Sequence, residues 1–161
     1  MTDAYNLQRF LDAQEGFYDT VLDELRAGKK SSHWIWFIFP QIIGLGHSAM
    51  AQKFSIGSLD EAKAYLQHPT LGPRLRACTQ LVLDVNGLSA EEIFSYPDNL
   101  KFRSCMTLFL MAATDNTLFK AALLTYFDGK PDQLTLDILH SNRLRADKGG
   151  RTYHSPAGTG L

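Results

Sequence analysis

The chain has 161 residues, of which 45% are hydrophobic and 20% charged, with a formal net charge of -1. That length supports one hydrophobic core without disulfide or metal reinforcement. The near-neutral balance gives none of the basic excess that marks a nucleic-acid or anionic-membrane surface. No run approaches the roughly 20 apolar residues of a membrane span. The amino-terminal MTDAYNLQRF lacks a secretory apolar core. The expectation is a cytoplasmic protein, with no membrane and no nucleic acid as partner. Cys78 and Cys105, the two cysteines, lie in apolar helical patterns and read as buried thiols.

Helical spacing dominates in chain order. Leu7, Phe10, Leu11, Gln14, Phe17, Val21, Leu22 and Leu25 recur at three and four residues, predicting one amphipathic helix from Asn6 to Leu25. Asp3 or Asn6 can cap its start, and Gly28 with Lys29 and Lys30 ends it. Ser31 and Ser32 are candidate caps for a short helix through His33–Gln41, HWIWFIFPQ, which Pro40 must stop. A strand over Trp34–Phe39 fits the same short run.

A glycine-punctuated loop, Ile42 to Ser48, leads to a short helix over Met50–Phe54. Ser58-Leu-Asp-Glu61 and Ser89-Ala-Glu-Glu92 are capping-box patterns, each opening a helix. Between them, Leu71–Val85 carries a clear apolar face. Asp98 can cap a helix from Asn99 to Ala113 that is apolar on nearly every side from Cys105 onward, the signature of a central helix. Asp115 or Asn116 opens another, closed by Asp128-Gly129, and Asp132 opens the last, Gln133 to about His140. Eight or nine helices and no convincing hairpin predict an all-α protein. It is read as a single compact domain over residues 1–141, packed as an orthogonal bundle or an α-horseshoe. Residues 142–161, Gly-rich with Arg143, Arg145, Lys148 and Arg151, read as a flexible solvated tail or a basic arm.

Three segments carry candidate chemistry. HWIWFIFPQ holds both tryptophans of the chain. It is either a core plug with its indole N–H groups satisfied inside, or an aromatic wall of Trp34 or Trp36 for a planar ligand, tipped by His33 and Gln41. In Asp98–Thr107, DNLKFRSCMT, Lys101 and Arg103 stand in the first turns of a helix, an unfavourable place for cations unless an anion is held there. Ser104 and Thr107 add hydroxyls. Lys101 and Arg103, two residues apart, point in different directions, and two solvated cations, or one paired with Asp98, fit the pattern too. His68-Pro69-Thr-Leu-Gly72-Pro73-Arg74 can form an anion nest from His68 and Arg74, or is turn chemistry alone.

No nucleotide, hydrolase or metalloprotease signature occurs, so no cofactor and no metal are expected. The five histidines lack metal spacing. Cys105 and His33 would form a nucleophile pair only if the fold joined them. Glu15, Asp84 and Asp132 are ordinary carboxylates, and nothing singles one out as a catalytic base.

Four stretches together resemble a bacterial and fungal family known as domain of unknown function 1810. They are F-x-x-A-Q at Phe10–Gln14, HWIWFIFPQ with Gly44, Leu45, Gly46 and Ser48, the run Glu61–Leu75, and D-x-x-KFRSCMTLF at Asp98–Phe109. The resemblance covers about Leu7 to Leu139 and implies a compact all-helical domain whose activity is not established. Some members carry a calpastatin label, although that inhibitor type resembles disordered, polar, repetitive chains and this one is helical and aromatic. Ala51-Gln-Lys-Phe54 and Lys101-Phe102 are similar to short stretches of helical ADP-ribose-processing domains that cleave N-glycosidic bonds. The Trp-Gly segment of that group has no counterpart here.

Two functions remain open. In the first, His33, Trp34, Trp36, Gln41, Lys101, Arg103 and Ser104, with His68 and Arg74, serve an anionic, nucleotide-like small molecule, bound and in one version hydrolysed. In the second, the helices present an apolar groove to a protein partner without catalysis. Oligomeric state is not encoded in any of these patterns.

Overall fold

In the computed structural model residues 3–158 are described, with side chains through residue 146. They form ten helices rather than eight or nine, and the one pairing of extended backbone among them is a parallel bridge between Ile42 and Ile56. No described helix is long and apolar enough to cross a membrane. No cluster of three or more His, Cys, Asp or Glu among the described residues could hold a metal ion.

The extra helix comes from a break in the first one. α1 (Gln8–Gln14) and α2 (Tyr18–Arg26) are separated at Glu15, which is extended, and Gly16, which sits at φ +78°. Left-handed backbone is cheap for glycine and costly for most other residues, so the chain turns there. Phe10, Gln14, Val21 and Leu25 still face the interior. The apolar spacing therefore runs unbroken through a backbone that does not. Asp3 opens α1 by accepting from the amides of Leu7 (2.7 Å) and Gln8 (2.8 Å).

The aromatic motif is a single helical turn, α3 (Ile35–Ile38), and not a strand; Phe39 leaves the helical region before Pro40. Ser31 and Ser32 do not cap it. The Ser32 hydroxyl turns back to Glu24 instead. α4 (Ala49–Lys53) starts at Ser48, whose Oγ accepts from the Ala51 amide at 3.1 Å.

α5 (Leu59–Gln67) has half of its expected capping box: Ser58 Oγ accepts from Glu61 N, but the Glu61 carboxylate goes to Gly57 N and Arg9. α6 (Leu71–Asp84) packs its second residue, Gly72, tightly against the end of α5. A Cβ there would stand 2.1 Å from the Leu66 carbonyl oxygen, so only glycine fits. α7 (Ala90–Phe94) carries the complete box between Ser89 and Glu92.

α8 (Asp98–Ala112) is the centre. Phe102, Cys105, Met106, Thr107, Leu108 and Phe109 are all fully buried on it. It packs against α3, α5, α7, α9 (Thr117–Phe127) and α10 (Gln133–Gly158). α9 ends where Asp128 turns left-handed beside Gly129. Asp132 Oδ2 caps α10 by accepting from Thr135 N and Oγ1. That helix does not stop near His140 as its sequence suggests but continues to Gly158. The side chains from 147 onward, those of Lys148 and Arg151 in the expected tail among them, and residues 159–161 lie outside what is described.

Phe39 and Phe102 join the aromatic motif to α8, with ring centroids 5.0 Å apart edge to face, and Phe94 stacks on Phe102 at 4.7 Å. On the other side Phe37 meets Phe54 at 5.5 Å, and Phe10 meets Tyr65 at 5.1 Å. Arg9 ties the amino terminus to this core. Its five N–H groups donate to the carbonyls of Tyr5, Asn6, Lys53 and Ser55 and to the Glu61 carboxylate, all at 2.7–2.8 Å.

Candidate functional site

The two tryptophans of the motif have opposite fates. Trp34 is fully buried, and its Nε1 donates to Glu24 Oε1 at 2.9 Å. Glu24 also accepts from the amides of Ser31 and Ser32 and from the Ser32 hydroxyl. Burial opposes its ionisation, but these donors outweigh burial and hold the carboxyl down at about 2. The carboxylate on α2 thus fixes the whole entry into the motif. Trp34 leaves no face for a ligand.

Trp36, two residues further on, is half-buried and lines a cleft of about 330 Å³. The Lys101 ammonium stands 5.3 Å from the centroid of its ring, within cation–π range. Lys101 pairs with Asp98 at 3.2 Å, and Asp98 pairs with Lys30 at 2.8 Å. One carboxylate between two ammonium groups leaves this trio with one excess positive charge. Lys101 is its most exposed member at 25%, against 6% for Lys30.

The rest of the cleft comes from the glycine loop and α4: Gln41, Ile42, Gly44, Gly46, His47, Gln52, Phe54 and Ser55. The loop is rooted by two backbone bonds at 2.8 Å, Ile56 N to Gln41 O and Ile43 N to Ile56 O. Gly44 sits at φ +104°, and at Gly46 a Cβ would lie 2.7 Å from that of Ala51, so the loop closes onto α4 only with glycine at these points. Gln52 Nε2 donates to the His47 carbonyl, and Ser55 Oγ to the Gln52 carbonyl. The cleft offers an aromatic face, two carboxamides, an imidazole and a hydroxyl. No carboxylate lines it.

Of the residues expected from sequence, the fold brings Trp36 and Gln41 into the cleft and sets Lys101 against the Trp36 ring, although Lys101 does not itself line the cleft. His33 is exposed and does not line the cleft. Ser104 is buried, its hydroxyl donating to the Leu100 carbonyl one turn back at 3.1 Å. Arg103 diverges from Lys101, donating from Nε to the Lys130 carbonyl at 3.0 Å and lying over Phe127. His68 serves the turn: its Nδ1 accepts from the amides of Thr70 and Leu71 at the start of α6. Arg74 leaves His68 and enters a separate recess beside Gln14 and Tyr18. Cys105 is fully buried, and burial pushes its thiol well above the usual range, so it forms no nucleophile pair with the exposed His33.

Sequence reasoning missed His47, Gln52 and Ser55, although the two glycines before His47 signal a loop held close to another element. It also missed Lys30, read as a helix-terminal cation. The Lys30 amide donates to the Ile93 carbonyl at 2.7 Å, which carries its ammonium to Asp98.

Comparison with known proteins agrees with the geometry of the fold. A family described as "Protein of unknown function (DUF1810)" matches residues 4–139. The crystal structure of the conserved hypothetical protein Rv1873 from Mycobacterium tuberculosis is 51% identical, with a TM-score of 0.85 over 86% of this chain and 99% of that one. No curated protein matches the chain. With a family match over most of its length, the chain belongs to the DUF1810 family.

Proposed function

We propose that the Trp36 cleft binds a planar anionic metabolite of nucleotide-like chemistry. The observation that carries this reading is the Lys101 ammonium over the ring of Trp36, a residue that lines a cleft whose polar side chains are Gln41, His47, Gln52 and Ser55. A base stacks on an indole with about 1–3 kcal/mol, and carboxamides read its edge. Lys101, with the excess charge of its trio, meets the phosphate. The volume suits a small ligand, being within the range of roughly 300–1,000 Å³ typical of such pockets.

Binding rather than hydrolysis is favoured. Glycosidic cleavage calls for a carboxylate to stabilise an oxocarbenium-like state or place a water. No carboxylate lines the cleft, and Asp98, the partner of Lys101, is committed to two lysines. The test is a thermal-shift and tryptophan-emission titration with nucleotides, ADP-ribose, NAD and sugar phosphates. Lys101→Ala and Gln41→Ala are run beside the wild type. A saturable response weakened in both variants supports the reading. A response unchanged in both removes it, and free base appearing with ADP-ribose or NAD would replace it with the glycosidase.

A groove of about 460 Å³, where Leu59, Met111, Leu136 and Leu139 meet, supports the second reading, a protein-interaction face. Met111 is 49% exposed there. Met111→Lys would abolish such an interaction and leave the ligand response intact.

A further inference from the structure

A second recess, about 400 Å³, opens where α1 turns into α2, and its chemistry differs from that of the Trp36 cleft. Gln14, 1% exposed, forms part of its wall. The Gln14 Nε2 donates to the Phe37 carbonyl at 2.8 Å, which leaves Oε1 to accept from Arg74 Nη1 at 3.1 Å. The Arg74 guanidinium also lies 4.4 Å from the Tyr18 ring centroid. One hydrogen bond and one aromatic face thus hold the guanidinium in a fixed plane.

What that plane lacks is a counter-ion. Arg74 makes no ion pair among the described residues, and its Nε and Nη2 donate to no described protein group. Its two neighbours of opposite charge, Glu15 and Asp19, line the same recess without reaching it. A guanidinium held with a free edge is shaped for a bidentate carboxylate or phosphate. The lining decides between simple anions and mixed ones. Arg74 contributes one positive charge, Glu15 and Asp19 two negative ones, so a bare anion is attracted at one wall and repelled at the other. A Cβ at Gly16 would meet nothing within 4 Å, so no other group crowds that edge of the recess.

We propose that this recess binds a small zwitterion of the α-amino-acid type, with its carboxylate on the free edge of Arg74 and its ammonium toward Glu15 and Asp19. The site is separate from the Trp36 cleft, and its test does not depend on that reading.

The test uses the full chain, isotope-labelled, with the Arg74 Nε–H and Gln14 side-chain resonances followed by NMR. The probes are the common proteinogenic L-amino acids, each beside its carboxamide and its N-acetyl derivative, and sodium acetate. At least one amino acid should move both resonances saturably. Its carboxamide should bind at least about tenfold more weakly, since a hydrogen-bonded charge is lost. Arg74→Lys, which keeps the charge but not the fork, should weaken the amino acid by a similar factor. The exposed pair Glu15→Gln and Asp19→Asn should weaken the amino acid and strengthen acetate. The proposal is overturned if no amino acid moves the Arg74 resonance, if carboxamide or acetate binds as well as the parent, or if Arg74→Lys binds unchanged.

Discussion

Lys101 and Trp36 come from segments 65 positions apart in the sequence, yet the ammonium of one lies 5.3 Å from the ring centroid of the other. Phe39 and Phe102, each fully buried, hold the same two segments together from inside. The contact therefore rests on core packing, and Lys101 adds little to it. Lys101→Ala should unfold within about 1 kcal/mol of the wild type, as expected for a partly exposed pair, while ligand response falls. Denaturant unfolding would show this; a large loss of stability would mean that Lys101 is structural.

The indoles should be separable by solvent access. Acrylamide should quench Trp36, left as the sole emitter in Trp34→Phe, far more than the buried Trp34 left alone in Trp36→Phe. Equal quenching would contradict the burial of Trp34. Trp34→Phe should also cost stability, because it removes a donor from Glu24 and leaves a void where the indole was.

Glu24 makes stability depend on acid. Its carboxyl is held at about 2 in the folded chain against an ordinary 4.5. A depressed carboxyl contributes stability that is present above pH 4.5 and is lost as pH falls toward 2. After allowance for solvent screening the contribution is on the order of 1–2 kcal/mol. Glu24→Gln should lower stability at neutral pH and flatten its fall over that acid window, which urea titrations at stepped pH would read directly. An unchanged slope would show that Glu24 is not the group responsible.

Arg9 and Glu61 lie 2.8 Å apart with side chains only 14% and 9% exposed. Arg9→Ala would strand a buried carboxylate and four carbonyls, with an expected loss of about 3–5 kcal/mol. Arg9→Ala with Glu61→Gln should recover part of that loss, because no unpaired charge remains. A double variant no better than Arg9→Ala would assign the cost to the carbonyls alone.

Gly72→Ala should be as damaging as any core truncation. The added methyl would meet the Leu66 carbonyl at 2.1 Å, and backbone cannot yield as a side chain can. A loss above about 2 kcal/mol is expected. Gly87→Ala is a useful contrast: it meets no atoms, so its cost is that of a positive φ alone.

Helix content and the central position of α8 were legible because apolar residues repeat along every face of Cys105–Ala113. The break at Gly16 was not legible, because spacing of three and four residues is preserved on either side of it. Capping logic succeeded where a carboxylate had no better partner, as in Ser89–Glu92, and failed at Glu61, where Arg9 competes for the same oxygens. The site divided in the same way. Lys101 and Arg103 could be separated in advance by their spacing, but the destination of each depends on elements distant in the chain. His47, Gln52 and Ser55 had no individual signal, since only the bridge between Ile42 and Ile56 gathers them.

The Gln14 carboxamide has one end on the Phe37 carbonyl and the other on Arg74. Phe37 follows Trp36 directly, so this one side chain, a wall of the Arg74 recess, is also bonded to the backbone of the aromatic turn. A carboxamide cannot rotate to suit one neighbour without presenting the wrong atom to the other. Whatever shifts Arg74 is therefore felt at the backbone of the aromatic turn, and the reverse. Any effect of one occupant on the affinity of the other must be equal in both directions, and Gln14→Leu would uncouple them.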